Sequence, residues 1–191
     1  LPEHLVVLGA GPIGCELAQA FSRLGSKVTL VQRGPRIMKK EDPDAAQLLT
    51  ERFRAEGIDV LLNHPAKAID TEGDSKQLIC DHDGKVIWVF FDTLLIALGR
   101  VPNAKGFGVE TLGVELTGNQ HIETNEFLQT NFPNIYCSGD VHGRYQFTHT
   151  AAHESWYAAV NALFGRFKRF SVDYNTIPWA TYTDPEVARV V

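Results

Sequence analysis

Residues 4–32, HLVVLGAGPIGCELAQAFSRLGSKVTLVQ, decide the fold. Residues 4–8, HLVVL, are apolar and stop at Gly9, the pattern of a strand buried on both faces. Residues 15–24 carry helical spacing, with Leu17, Ala18, Phe21 and Leu24 on one side, and Gly25 ends them. Residues 27–32, KVTLVQ, are rich in β-branched side chains and read as a second strand. Strand, helix and strand make one βαβ unit, whose crossover is right-handed. Its first turn is Gly9-Ala10-Gly11-Pro12-Ile13-Gly14, a G-x-G-x-x-G motif. Gly9 permits the tight turn, Gly11 lets a pyrophosphate approach the backbone, and Gly14 lets the helix pack close to the sheet. The helix start then offers free N–H groups and partial positive charge to the phosphates. The alternative is a glycine-rich turn that holds no ligand.

Outward from this unit, a second helix is expected over 44–56, entered through Asp42-Pro43 and ended by Gly57. A third strand follows over 58–62. The period then changes: 66–70, 77–81 and 85–90 read as three antiparallel strands, with Asp83-Gly84 as a tight turn. A buried strand over 93–98 ends at Gly99-Arg100. The expectation is an α/β fold, a Rossmann-like dinucleotide-binding domain over residues 1–97 with a parallel sheet and a three-stranded antiparallel meander. Residues 101–132 are rich in Gly, Asn and Thr and carry few helix signals. A strand is expected over 134–138, an amphipathic helix over 150–165, and a strand over 179–182. The chain has no Met at residue 1 and stops without closing structure, so it reads as a piece of something longer.

Hydrophobic residues make up 44% of the chain and charged residues 21%, as in an ordinary globular protein. A formal net charge of -5 argues against a nucleic-acid partner. No apolar run approaches the ~20 residues that span a bilayer, so no membrane partner is expected. The opening Leu1-Pro2-Glu3-His4 shows no basic n-region with a following h-region, so no signal-peptide pattern is read there. Cys15, Cys80 and Cys137 match no zinc or disulfide spacing and read as reduced, buried thiols of a cytoplasmic protein. His149 and His153 stand four apart on an expected helix with His142 near in sequence, a spacing that can bind metal. No acid or thiol obviously completes such a site, and no metal is expected.

The residue ending the second strand selects the cofactor. NAD sites place an acid there for the ribose 2′-hydroxyl. Here it is Gln32, followed by Arg33, with Arg36, Lys39 and Lys40 nearby. Arg33 can pair with a 2′-phosphate, which a carboxylate would repel. Gly14 pulls the other way, since NADP sites often carry Ala at that position. The balance favours NADP(H), against a solvated basic loop without a specific contact.

Four segments carry a resemblance: residues 5–25 (LVVLGAGPIGCELAQAFSRLG), 97–103 (ALGRVPN), 134–141 (NIYCSGDV) and 181–187 (TYTDPEV). In this order and spacing the chain resembles the class I pyridine nucleotide-disulfide oxidoreductases, the family of lipoamide dehydrogenase, glutathione reductase and mercuric reductase. The stretches ELAQAFSRLGSKVTL and RFRAEGIDV look most like the mercuric reductase branch. The resemblance implies two cofactors, FAD and NAD(P), and hydride passage from NAD(P)H through FAD to a disulfide, a metal or another acceptor. It implies the C-terminal part of an FAD-binding domain over 98–172 and the truncated start of a dimerisation domain over 173–191, in a homodimeric parent. Gly99 and Arg100 would mark the return to the FAD domain, with Leu98 where the family usually has Thr. Gly139-Asp140 would end the second FAD motif, its carboxylate accepting from the ribityl chain. The helix near Thr150 would point its N-terminus at the flavin. Glu16 matches a glutamate that pairs with a lysine near the flavin, or else is a first-turn acid favoured by the helix dipole.

The family's first G-x-G-x-x-G, its C-x-x-x-x-C redox pair and its C-terminal active-site His are not in this chain. The expected binding residues are therefore Gly9, Gly11, Pro12, Ile13, Gly14, Glu16, Gln32, Arg33, Lys39, Gly99, Arg100, Gly139 and Asp140, with no catalytic residue. The alternatives are a dinucleotide-binding module without activity, and an NAD(P)H oxidase or ferredoxin-reductase-like enzyme that works without a redox disulfide.

Overall fold

A computed structural model describes residues 1–72 and 75–190. The chain divides into two compact units, one of Leu1–Gly99 with Ala180–Ala188, the other of Arg100–Trp179 with the residues from Arg189.

The first unit is built on a four-stranded parallel sheet of β1 (His4–Leu8), β2 (Lys27–Val31), β3 (Asp59–Leu61) and β7 (Thr93–Ile96), in the order β3-β2-β1-β7. Helices α1 (Pro12–Arg23) and α2 (Pro43–Ala55) join the first three strands. Both helices begin with proline at their first position, where the missing N–H costs nothing. Asp42 caps α2 by accepting from Asp44 N at 2.8 Å. Gly25 and Gly57 follow the helix ends at φ +106° and +86°, a conformation that costs other residues dearly.

The apolar run of β1 faces two cores at once. Leu5 and Val7 pack with Cys15, Ala18, Leu30, Leu49 and Phe53. Val6 and Leu8 pack with Val31, Leu78, Cys80 and Val89. The second core belongs to the antiparallel meander of β4 (Ala66–Glu72), β5 (Ser75–His82) and β6 (Lys85–Phe91). Asp83 and Gly84 join β5 to β6 with φ +52° and +77°, the two left-handed residues that a type I′ hairpin turn needs. The Asp92 carboxylate accepts from Glu3 N at 2.7 Å and His4 N at 3.0 Å, and the His4 N–H bond is the main cause of its lowered pKa.

The second unit has little regular structure besides α3 (Val109–Leu112) and α4 (Thr148–Phe164). A small core of Ala104, Val114, Ile122 and Cys137 holds it. Strands β8 (Pro178–Thr181) and β9 (Val187–Val190) form a two-stranded sheet, with a cis Asp184-Pro185 bond between them.

Several boundaries differ from the sequence reading. Helix α1 starts at Pro12 rather than residue 15, because proline is preset for the first helical position. Strand β7 stops at Ile96, two residues short of the expected 98. No strand forms over 134–138; only Gln129 and Tyr136 make an isolated bridge. The partner segment cannot continue a ladder, because Leu128 takes φ +62° and Asn125 Oδ1 captures the N–H groups of Phe127 and Gln129. Helix α4 also departs from an amphipathic helix with an apolar buried side. Its buried residues are Thr150, Glu154 and Asn161, while Trp156, Leu163 and Phe164 are exposed. The last residue of the expected 173–191 domain start, Val191, lies outside the described residues.

Phe53 is fully buried in the first core. Phe53→Ala should lower the stability of the first unit by about 3–5 kcal/mol, read by urea unfolding.

Candidate functional site

The glycine turn sits where β1 ends, beside the end of β7. This is the carboxyl edge of the parallel sheet, at the strand where the connection order reverses. Gly9 takes φ +107°, and a Cβ there would overlap the backbone carbonyl of Ala97. A Cβ on Gly14 would overlap the carbonyl oxygen of Gly9. Gly11 differs: a Cβ there would meet no protein atom within 4 Å. Two of the glycines are thus required by packing, and the third keeps a space open beside the helix start. Pro12 and Ile13 complete the first turn of α1, whose N-cap Gly11 supplies no side-chain acceptor. The N–H groups of Ile13 and Gly14 face outward along the helix axis as free donors. The arrangement fits a pyrophosphate.

The loop after β2 closes against this turn. Met38 N donates to Ala10 O at 2.8 Å, and Met38 and Ile37 are buried. Gln32 lies at the strand end, where its amide donates to Arg36 O at 3.1 Å. The Arg36 guanidinium in turn donates to Lys39 O at 2.8 Å, so it is engaged within the loop. Arg33 is exposed and has no hydrogen-bond or ion-pair partner among the described residues. Lys39 is exposed as well.

Glu16 does not sit in the first turn of α1, which contains no acid, so the dipole reading of that residue is corrected. Its carboxylate accepts from Tyr182 N at 2.9 Å instead. Gln19, three residues on, pairs with the Asp184 backbone in both directions, at 2.8 and 2.7 Å. Arg23 bridges Glu56 at 2.7 Å and Asp184 at 2.6 Å. These three side chains share one face of α1 and clasp residues 182–184. Nothing in the sequence patterns singled out Gln19 or Arg23.

In the second unit, Arg100 donates to Gln146 O at 2.9 Å and lies 3.4 Å from the Asp140 carboxylate. These residues line a cleft of about 370 Å³ with Val101, Pro102, Asn103 and Val141. Gly99 ends the first unit at φ +133°, and Gly139 precedes Asp140 at φ +80°. Asp140 is more than half exposed, so it can accept from hydroxyl groups without a large desolvation cost. Helix α4 starts at Thr148 with no side-chain cap. Thr150 is fully buried in its first turn, yet its Oγ1 has no hydrogen-bond partner among the described residues. An open helix start with an orphaned buried hydroxyl, and an acid at a nearby turn, fit a polar ligand with hydroxyl and carbonyl groups.

Sequence reasoning missed Glu154, the most buried acid of the unit. It is fully buried and accepts from Gly139 N at 2.6 Å and from Tyr174 OH at 2.8 Å. Its other neighbour is the His142 ring, Nδ1 at 3.1 Å. Burial pushes its pKa up, but the bonds from His142, Gly139 and Tyr174 outweigh that and hold it below the ordinary value. The spacing of Glu154 from Gly139-Asp140 gave no signal, because only the folded loop brings them together. His142 is thus committed to Glu154, and the His153 ring bonds Asp173 O at 2.7 Å.

The three cysteines are free and buried. Burial raises Cys15 and Cys137 to about 12 and also raises Cys80.

The model of the pyridine nucleotide-disulphide oxidoreductase family matches residues 1–155. The chain belongs to this family. Members of the family use FAD and NAD(P). Mercuric reductase of Bacillus cereus is 35% identical over 190 residues, which cover 100% of this chain and 30% of that protein. Dihydrolipoyl dehydrogenase of Mycobacterium leprae is 33% identical, covering 98% of this chain and 40% of the relative. Among solved structures, a Cu(II) complex of the HOCl-induced flavoprotein disulfide reductase RclA from Escherichia coli superposes with a TM-score of 0.89 at 31% identity. It covers 100% of this chain and 43% of that one. The mixed α/β architecture is thus that of flavoprotein disulfide reductases, and the chain spans well under half of these relatives' length.

Two outcomes are expected. Gly14→Ala should destabilise the first unit by about 1–3 kcal/mol through overpacking, while Gly11→Ala should cost about 1 kcal/mol or less through the weaker N-cap; urea unfolding separates them. Glu154 has a lowered folded pKa, so its contribution is complete above the ordinary Glu value of about 4.3 and is lost as pH falls below it. Glu154→Gln should flatten that acid limb in urea unfolding of the second unit followed against pH.

Proposed function

We propose that the chain is the NAD(P)-binding portion, with part of the FAD site, of a cytoplasmic, homodimeric flavoprotein oxidoreductase. In this reading residues 1–97 bind NAD(P), residues 98–172 are the C-terminal part of the FAD domain, and residues 173–191 open the dimerisation domain. A bound FAD would supply the redox chemistry between NAD(P)H and a disulfide, a metal ion or another small acceptor. The open space at Gly11, between two glycines fixed by packing, is the observation that carries the reading.

The residues of this chain bind and orient. Gly9, Gly11, Pro12, Ile13 and Gly14 form the pyrophosphate cradle. Gln32 serves the ribose, and exposed Arg33 pairs with a 2′-phosphate, joined by Lys39 on the same loop. That pairing favours NADP(H), because the guanidinium is not already spent on a protein carboxylate. Gly99 and Arg100 lead the chain into the flavin part, where Gly139 and Asp140 hold the ribityl hydroxyls. Thr150, with its unpartnered hydroxyl, and the uncapped start of α4 would hold the polar edge of the flavin. Glu16, by contrast, orients residues 182–184 and is a structural contributor here.

A second reading, a binding module without redox activity of its own, has one observation in its favour. All three thiols of the chain are buried and have raised pKa values, so none is a reactive thiolate.

Calorimetric titration with NADPH and NADH tests the cofactor assignment. NADPH should bind more tightly, and Arg33→Ala should weaken it about ten- to hundredfold with little effect on NADH, as for loss of a charged hydrogen bond. Equal or tighter NADH binding would overturn the NADP assignment.

A further inference from the structure

We infer that Glu154 is a positioning residue for Asp140: one buried carboxylate holds the backbone N–H of the residue before Asp140 and the His142 ring just after it, and so sets the orientation from which Asp140 accepts hydroxyl hydrogen bonds. This rests on the reading of Asp140 as the acceptor for the ribityl chain.

Glu154 touches the turn at two places. Its Oε2 accepts from the N–H of Gly139, the residue before Asp140, at 2.6 Å. Its Oε1 meets the ring of His142, two residues after Asp140, at 3.1 Å. His142 N also donates to Gly139 O at 2.9 Å, so the turn is closed across Asp140 as well. Tyr174 OH donates to the same Oε1 at 2.8 Å, which leaves the carboxylate little freedom to rotate. A second contact from α4 presses on the same residue. A Cβ on Gly139 would lie 3.2 Å from the Cβ of Ala151, one turn before Glu154 on the same helix face. Ser155 adds a hydroxyl contact to Ser138 at 3.1 Å.

Stability alone does not account for a charge at this place. A buried acid pays for its desolvation, and a well-packed apolar residue of similar size often serves the fold as well or better. What an apolar residue cannot do is accept from Gly139 and engage His142 at once. Among the described residues, the Asp140 carboxylate has only the long contact to Arg100 at 3.4 Å. Its aim therefore depends on its backbone, and Glu154 holds that backbone.

The test uses the complete flavoprotein that carries this chain, stripped of FAD and titrated back, with affinity read from flavin fluorescence. Glu154→Leu should raise the FAD Kd about tenfold or more, as for buried donors left unpaired. Glu154→Gln should retain most of the affinity, since its amide oxygen can still accept from Gly139 N. The double variant Glu154→Leu/Asp140→Asn should bind within about twofold of Asp140→Asn alone, because the two act as one unit. Additive losses in the double variant, or an unchanged Kd in Glu154→Leu, would overturn the proposal. Should Glu154→Leu not fold, Glu154→Asp, one methylene short, replaces it with the same loss expected and the same overturning result. The clamp is also read without FAD, as hydrogen exchange at the Gly139 amide of the 191-residue chain. Protection that persists in Glu154→Leu overturns the clamp itself. A wild-type protein that takes up no FAD, with Gly139 protection lost in the variant, instead overturns the reading of Asp140 on which the proposal rests.

Discussion

The start of α1 is pressed against the end of β1 so closely that the carbonyl oxygen of Gly9 occupies the place where residue 14 would carry a Cβ. Gly9 in turn meets the backbone of Ala97 just beyond β7. Three backbone segments therefore meet at one point with no side chain between them. Their positions follow from that contact. Ala97 N still donates to Leu8 O at 2.8 Å, which holds β7 in register past its last strand residue. Ala10 is buried, and its carbonyl receives both Met38 N and the Cys15 thiol. The basic loop after β2 is thus anchored to the glycine turn through Met38, and Arg33 is presented from a fixed base. Of the three glycines of the motif, Gly11 is the one whose missing side chain points into open space.

The second unit solves a different problem. It has few ladders, so its backbone groups need other partners. Polar side chains supply them. Asn161, nearly fully buried, binds Phe127 O, Phe170 O and Phe170 N with its one amide. Asn125 does the same for Phe127 and Gln129, and Asn131 joins Gly113 O to Glu115 N. Glu154 is the charged member of this set. The polar buried side of α4 is therefore not a defect of amphipathicity. The helix is the post to which irregular backbone is tied, and the large side chains of Trp156, Leu163 and Phe164 are left exposed.

This contrast explains how much was legible in the sequence. Apolar runs, β-branched stretches, proline at helix starts and glycine at helix ends are local signals, and they located both helices and all seven strands of the first unit to within a few residues. Asp83-Gly84 gave the hairpin turn for the same reason. The glycine motif could be read residue by residue because each glycine answers a geometric demand stated by its place between strand and helix. In the second unit the decisive contacts run between residues distant in sequence. The run NIYCS has strand-like composition, yet its partner residues 125–129 are bent by Leu128 and captured by Asn125, so no strand forms. Glu154 reads as one more polar residue on a helix until the loop beginning at Gly139 folds over it. Arg23 and Gln19 were invisible for the same reason, because residues 182–184 lie more than 150 positions away.

Cys15 shows which physical effect governs the chemistry left to this chain. It is the fourth residue of α1, and a thiol at a helix start is ordinarily pushed toward the thiolate by the free N–H groups. Here burial wins. The sulfur is fully enclosed between the glycine turn and the core, Glu16 adds a like charge, and the pKa rises to about 12. The same positive helix end that would activate a thiol is left to act outward, through Ile13 and Gly14 and past the open side of Gly11. A site that quenched its own nucleophile while exposing its donors is built to hold an anion and not to attack one. Cys80 and Cys137 are buried and raised in the same way, so none of the three thiols is a reactive thiolate.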